Sequence, residues 1–172
     1  AISAGSAYLY DATTGTLLRT FNNPAPEGGD GFGTSVSLSG NKILIGANSD
    51  NAGTGSAYLY DATTGALLKI FNNPTPEGGD GFGTSVSLSG DKIIIGAFYN
   101  NTGVYNAGSA YLYDATTSDL LHTFNNPTPA AEDFFGWSVS LSGDSVLVGA
   151  YRDDTGSTNA GSAYLYDATT GT

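Results

Sequence analysis

The 172-residue chain has no cysteine and no methionine, one tryptophan, one histidine, and five lysines and arginines against 16 acidic residues. Without cysteine there is no disulfide, no thiolate nucleophile and no Cys-ligated metal. The compartment stays open, because a repeat array stabilises itself by stacking. A net charge of −11 and a pI near 4.1 oppose binding to polyanions, which excludes nucleic acid and anionic membrane surfaces as partners. No apolar run approaches the roughly 18 residues of a membrane span, and no charged-then-apolar leader is present, so no membrane insertion is expected. The chain opens on Ala1 rather than Met, which reads as a removed leader or a piece of something longer.

What is present is repetition. FGTSVSLSGDKIIIGA at Phe82 to Ala97 has near copies from Phe32 to Ala47 and from Phe135 to Ala150. GSAYLYD begins at Gly5, Gly55, Gly108 and Gly161, a period of about 50 residues. The units run over 5–54, 55–107 and 108–160, with a partial unit at 161–172, and form one array. The first two copies are almost identical; the third has drifted and gains its extra residues between Ala97 and Gly108, which marks a loop.

Each unit resolves into four strands, called A to D. SAYLYD alternates Ala7 and Leu9 against Ser6, Tyr8 and Tyr10, the period of a half-buried strand, C. Asp11 followed by ATTG is a turn whose carboxylate accepts nearby backbone N–H groups, and Leu17 to Phe21 returns as D. Prolines and glycines in NNPAPEGGDG, Asn22 to Gly31, mark a crossing between units. Strand A follows from Thr34 to Ser39, with a face of serines small enough for another sheet to approach closely. KILIGA, Lys42 to Ala47, is a nearly continuous apolar run, a strand B buried on both faces.

A four-stranded meander with two apolar faces is unstable alone, so copies pack face to face. The fold class is all-β, and four antiparallel strands in about 50 residues make a β-propeller blade, about three blades' worth in an incomplete ring. A flat stack or solenoid is the alternative, with rungs that are usually much shorter.

The pairs Phe32-Gly33 with Gly46-Ala47, Phe82-Gly83 with Gly96-Ala97, and Phe135-Gly136 with Gly149-Ala150, each followed by GSAYLYD, resemble the FG-GAP repeat. That is the blade of integrin α-subunit heads and of many bacterial extracellular proteins. The hairpin YDATTGTLLRTF also resembles WD40 and PQQ-type blades, which imply the same architecture. The resemblance implies an extracellular or cell-surface location and a non-catalytic role. Calcium-binding members of the family carry an Asp-rich loop between the FG and the GAP. Here that interval holds only SGN at Ser39 to Asn41 and SGD at Ser89 to Asp91 and Ser142 to Asp144. One carboxylate does not supply the roughly six to eight oxygens Ca²⁺ takes, so the metal site is not carried over and no cofactor is expected.

Alternating strand direction places the A–B and C–D turns on one rim and the D–A and B–C connections on the other, the loop rim. The loop rim gathers Asp30, Asp80 and Asp133, with Asp50, Asp153 and Asp154 nearby. These acids read either as a converging site for a cation, calcium included, or a basic partner, or as turn caps and solvated surface; repeated Asp in Gly-rich turns favours the second reading. All the carboxylates are expected to sit in polar turns that leave their pKa values unraised. His122 lies where the other copies have Arg19 and Lys69 and reads as a solvated outer-strand position, which leaves no Ser-His-Asp set and no enzyme.

Two functions follow. The first is an interaction module that binds protein, including other copies of itself. The second is a carbohydrate-binding module stacking sugars on Tyr99, Tyr105, Trp137 and Tyr151. The aromatics do not recur clearly at one loop position, which favours the first. Strand count adds an expectation. Strand D of one copy, with Leu17, Leu18 and Phe21, completes the last blade of another along the edge bearing Tyr164 and Tyr166, giving a two-chain ring or a filament.

Overall fold

The computed structural model describes residues 4–172. In chain order the strands are β1 (Ser6–Tyr10), β2 (Leu17–Asn22), β3 (Phe32–Ser39), β4 (Lys42–Ala47), β5 (Ser56–Asp61), β6 (Leu67–Asn72) and β7 (Ser85–Ser89). There follow β8 (Lys92–Ala97), β9 (Ser109–Asp114), β10 (Leu120–Asn125), β11 (Phe135–Ser142), β12 (Ser145–Ala150) and β13 (Ser162–Asp167). They form two complete antiparallel blades, β3-β4-β5-β6 and β7-β8-β9-β10, a three-stranded sheet β11-β12-β13 and a hairpin β1-β2. The order in each blade is A-B-C-D, and the ring is open.

The apolar run of strand B is explained by what lies on each side of it. Successive side chains point to opposite faces of a sheet, so Ile43 and Ile45 join Ala7, Phe21, Tyr58 and Tyr60 on one side. Leu44 turns the other way, to Val86, Leu88, Ile93 and Ile95 of the next blade. Ile94 and Leu112 in turn meet Leu141, Val146 and Val148. Each blade is therefore a shared wall between two cores. Strand C follows the same logic: β5 and β9 are buried on both faces, and the half-exposed alternation expected of SAYLYD survives only in β1 and β13.

The serines of strand A carry the polar part of each junction. Ser35 Oγ donates to Gly83 O at 2.7 Å, and Ser85 Oγ to Gly136 O at 2.8 Å. Ser37 Oγ accepts from Leu88 N and Ser87 Oγ from Leu141 N, both at 3.0 Å. Small hydroxyl side chains thus satisfy backbone groups where neighbouring A strands meet near the axis. Strand A begins earlier than the sequence suggests: in β3 it includes Phe32, with a register shift between Phe32 and Ser35. The connection read as loop after Ala47 contains one short helix-like turn, Asp50–Gly53.

The two rims separate as strand direction requires. On the turn rim Asp61 Oδ1 accepts from Thr63 N at 2.9 Å and Thr64 N at 2.7 Å, while Asn41 Nδ2 from the A–B turn donates to Asp61 Oδ2 at 2.7 Å. Backbone bonds from Thr64 hold Asp61 below the ordinary carboxylate range, and the equivalent Asp11, Asp114 and Asp167 are lowered in the same way.

Candidate functional site

The loop rim is built on buried polar groups. In each D–A connection one carboxylate oxygen gathers an Asn side chain and a backbone N–H. Asp30 Oδ2 accepts from Asn23 Nδ2 and Glu27 N, both at 2.7 Å. Asp80 Oδ2 accepts from Asn73 Nδ2 at 2.6 Å and Glu77 N at 2.7 Å. Asp133 Oδ2 accepts from Asn126 Nδ2 at 2.7 Å and Ala130 N at 2.6 Å. All three acids and all three asparagines are buried. The NNP that opens every crossing is the one sequence signal for these asparagines, and its Pro-rich setting disguises it as plain loop.

The B–C connections add a second position. Asp50 accepts from the Tyr58 hydroxyl, and Asp153 Oδ2 from Tyr164 OH at 2.6 Å and Asn126 Nδ2 at 3.1 Å. In the middle repeat Asn100 stands there, with its Nδ2 on Thr75 Oγ1 at 3.2 Å. Asp154 is exposed and accepts from Asn159 N at 2.7 Å. The structure therefore distributes the six acids blade by blade, five of them buried within their loops, with Asp133 and Asp153 joined through Asn126 and Asp154 exposed beside them. Among the described residues no group of three His, Asp or Glu side chains is placed to hold a metal ion.

The expectation that no carboxylate here has a raised pKa is corrected. Burial pushes Asp80 up, against hydrogen bonds from Glu77 N and Asn73. Burial also pushes Asp133 up, and the nearby Asp153 and Asp154 charges add to it. Burial acts on Asp153 too, but bonds from Thr155, Tyr164 and Asn126 outweigh it and bring it down to about 2. Because the folded pKa of Asp80 lies above its unfolded value, its ionisation lowers stability progressively as pH rises from about 3.8 through the raised pKa. The melting-temperature advantage of Asp80→Asn over the parent chain should accordingly grow with pH across that range. A difference that stays flat with pH removes this assignment.

Beside these buried groups lies an exposed aromatic patch at the junction of the second blade and β11-β12-β13. The Phe98 ring is buried and packs against Tyr99 at 3.8 Å, Trp137 at 4.7 Å and Phe134 at 5.8 Å between centroids. Tyr151 lies 5.5 Å from Phe134, nearly parallel at 14°, and 4.8 Å from Trp137. The Arg152 guanidinium sits 5.3 Å from the Phe134 centroid and pairs with Glu132 at 3.5 Å. Tyr99, Trp137 and Tyr151 remain 41%, 44% and 45% exposed. Tyr105 is exposed apart from this ring set, its carbonyl accepting from Glu132 N at 3.0 Å. The preceding junction has Asn48, Gly81 and Thr84 where this one has Phe98, Phe134 and Trp137, so the patch is not a requirement of blade packing.

Three other expected positions are placed as follows. Leu17 and Leu18 are exposed on the outer strand, whereas Phe21 is buried, 5.1 Å from Tyr60. Tyr164 and Tyr166 are half-buried beside Phe135 at 5.7 and 6.3 Å. His122 is partly exposed on its outer strand, and its Nε2 lies 3.3 Å from Thr169 O of the neighbouring C–D turn, as Arg19 reaches Thr63 O two junctions earlier.

The profile described as FG-GAP repeat matches the chain at residues 26–60, 76–113 and 128–166. No curated protein matches it in sequence. Among solved structures it is similar to a chain of the crystal structure of the mitotic checkpoint complex, with a TM-score of 0.63 and 17% identity over 98% of this chain. It is also similar to BamB from Moraxella catarrhalis, with a TM-score of 0.58 and 18% identity over 99% of this chain. Both neighbours are β-propeller proteins, and the chain spans 43% of the length of each. At these identities the likeness shows the fold alone.

Proposed function

The chain belongs to the FG-GAP repeat family, and from that premise we propose that it is a non-catalytic, extracellular or cell-surface interaction module that presents its loop rim to protein partners, and that those partners include other copies of the chain. The observation that carries the first part is the aromatic patch. Trp, Tyr and Arg are the residue types that dominate interface hot spots, and contiguous exposed apolar surface marks an interaction site. The patch combines Trp137, Tyr99, Tyr151 and Arg152 on a rigid floor of Phe98 and Phe134. Few basic residues and an acidic surface suit a partner that contributes basic or neutral groups. The family, and a fold shared with a chain of the mitotic checkpoint complex, support the class of function.

A photo-cross-linking amino acid placed at Tyr151, or at Asn41 on the opposite rim, tests this against the extracellular proteins of the source organism. Adducts should form from position 151 and not from 41, and Trp137→Ala should weaken them by roughly tenfold or more. Equal labelling from both rims, or labelling indifferent to Trp137→Ala, contradicts the reading.

Carbohydrate is a second reading, favoured by one observation: the rings of Tyr99, Trp137 and Tyr151 converge and stay exposed, as sugar stacking requires. Reproducible binding on a glycan array, lost on Tyr99→Ala or Tyr151→Ala, would put it first.

A further inference from the structure

On the loop rim the junction of the β1-β2 hairpin with the first complete blade is hollow, where the junction of the two complete blades is filled. Both are built from the same words: an NNP crossing, a SAYLYD strand and the D strand paired with it. At the filled junction the chain closes the space itself. Thr75 Oγ1 lies 3.0 Å from Tyr111 OH and accepts from Asn100 Nδ2 at 3.2 Å, and Asn101 Nδ2 donates to Glu77 Oε2 at 3.0 Å. At the hollow junction Ala25 stands in place of Thr75, and Asp50 and Asn51 in place of Asn100 and Asn101. Alanine has no hydroxyl to offer, and Tyr58 gives its own to Asp50. Asn51 Nδ2 donates to Ser56 Oγ at 2.9 Å, which leaves the Glu27 carboxylate without a partner among the described residues.

What remains is a cleft of about 330 Å³, with every wall drawn from Ala25 to Asn72. Its base is polar and fixed. Asp50 is 6% exposed and accepts from Tyr58 OH and from Asn51 N, and Ser56 Oγ links Asn51 to Asn72 Oδ1 at 3.3 Å. Ala25 and Ile70 make an apolar side, where the filled junction has Thr75 and Thr123. Asp50 and Glu27 have lone pairs left to accept with, and the Asn72 amide nitrogen, free among the described residues, has protons left to donate. A ligand for this cleft therefore needs donors and acceptors together. A sugar hydroxyl supplies both in one group, whereas an ammonium group supplies donors alone.

The filled junction shows which groups complete such a space: a hydroxyl on the tyrosine side and an amide N–H on the glutamate side, both neutral. We propose that the hollow junction binds a neutral sugar bearing an N-acetylamino group. Its ring hydroxyls bond Asp50 and Asn72, its amide N–H takes Glu27 as Asn101 takes Glu77, and its acetyl methyl lies against Ala25 and Ile70. The cleft is at the small end of the roughly 300–1,000 Å³ of small-molecule sites, room for one sugar ring. None of Tyr99, Trp137 and Tyr151 takes part, so the site is separate from the aromatic patch and goes beyond the protein-partner reading.

Nuclear magnetic resonance titration of the isotope-labelled 172-residue chain with N-acetylglucosamine or N-acetylgalactosamine tests this. At least one of the two should shift the backbone amide signals of Asn51, Ser56 and Asn72 and leave those of Asn101, Ser109 and Asn125, at the filled junction, in place. Glucose, which lacks the acetamido group, should bind severalfold more weakly. Ala25→Thr, which copies Thr75, should close the cleft and abolish the shifts with circular dichroism unchanged. Asp50→Asn should weaken binding about tenfold or more through the loss of a charged acceptor; if that variant unfolds, Ala25→Thr decides alone. Trp137→Ala should leave the affinity as it is, so failure here and failure of cross-linking from Tyr151 are read apart. No shift with either sugar, equal shifts at both junctions, binding indifferent to Ala25→Thr, or the same shifts from calcium chloride or butylamine at lower concentration would overturn the proposal.

Discussion

Gly108→Ala is expected to destabilise the chain by about 2–5 kcal/mol and lower its melting temperature on the order of 10 °C. Gly108 holds φ at +84°, which alone costs an alanine roughly 1–2 kcal/mol. Its added Cβ would also stand 2.0 Å from Phe135 O and 2.7 Å from Phe135 N, backbone atoms of the next blade. Relieving that overlap means separating β9 from β11, and overpacking of this kind costs typically about 1–3 kcal/mol more. Gly156→Ala is the control, because Gly156 has φ +90° and an added Cβ there would meet nothing within 4 Å. It carries the backbone strain without the collision. Urea denaturation of both variants separates the two terms; equal losses would show that the close approach of Gly108 to Phe135 contributes nothing.

This glycine also shows what the sequence discloses and what it withholds. The recurrence of GSAYLYD at a fixed period reveals the blades, and the alternation within each copy reveals strand order. Neither reveals that Gly55 and Gly108 form parallel bridges to Phe82 and Phe135, because that contact joins one unit to the next rather than closing within it. The loop rim is hidden for the same reason. Asp30 and Asn23 lie seven residues apart in a Pro- and Gly-rich segment, where no periodicity announces that one side chain receives the other. The aromatic patch draws Phe98 and Tyr99 from one connection, Phe134 from another, Trp137 from the start of β11 and Tyr151 from a third connection. Trp137 looks isolated in sequence, and only folding brings it to Tyr151.

Leu112→Ala should cost roughly 2–5 kcal/mol, while Leu165→Ala, the same letter in the same SAYLYD word, should stay within about 0.5 kcal/mol. Leu112 is 0% exposed and packs in the core with Leu141, Val146 and Val148 of the following blade. Removing its side chain leaves a cavity between two sheets that the serine contacts of strand A hold at fixed separation, so the site has little room to collapse. Leu165 pairs with Leu147 on an open face and is 71% exposed, so its truncation removes almost no buried surface. Leu59→Ala, at 1% exposure on the first complete blade, should behave like Leu112→Ala. Denaturant melts of the 172-residue chain rank the three. A small loss at all three positions would mean that the blades are not held together through strand C. Two large losses and one negligible one would locate the energy of the array in the walls between blades rather than in the hairpins themselves.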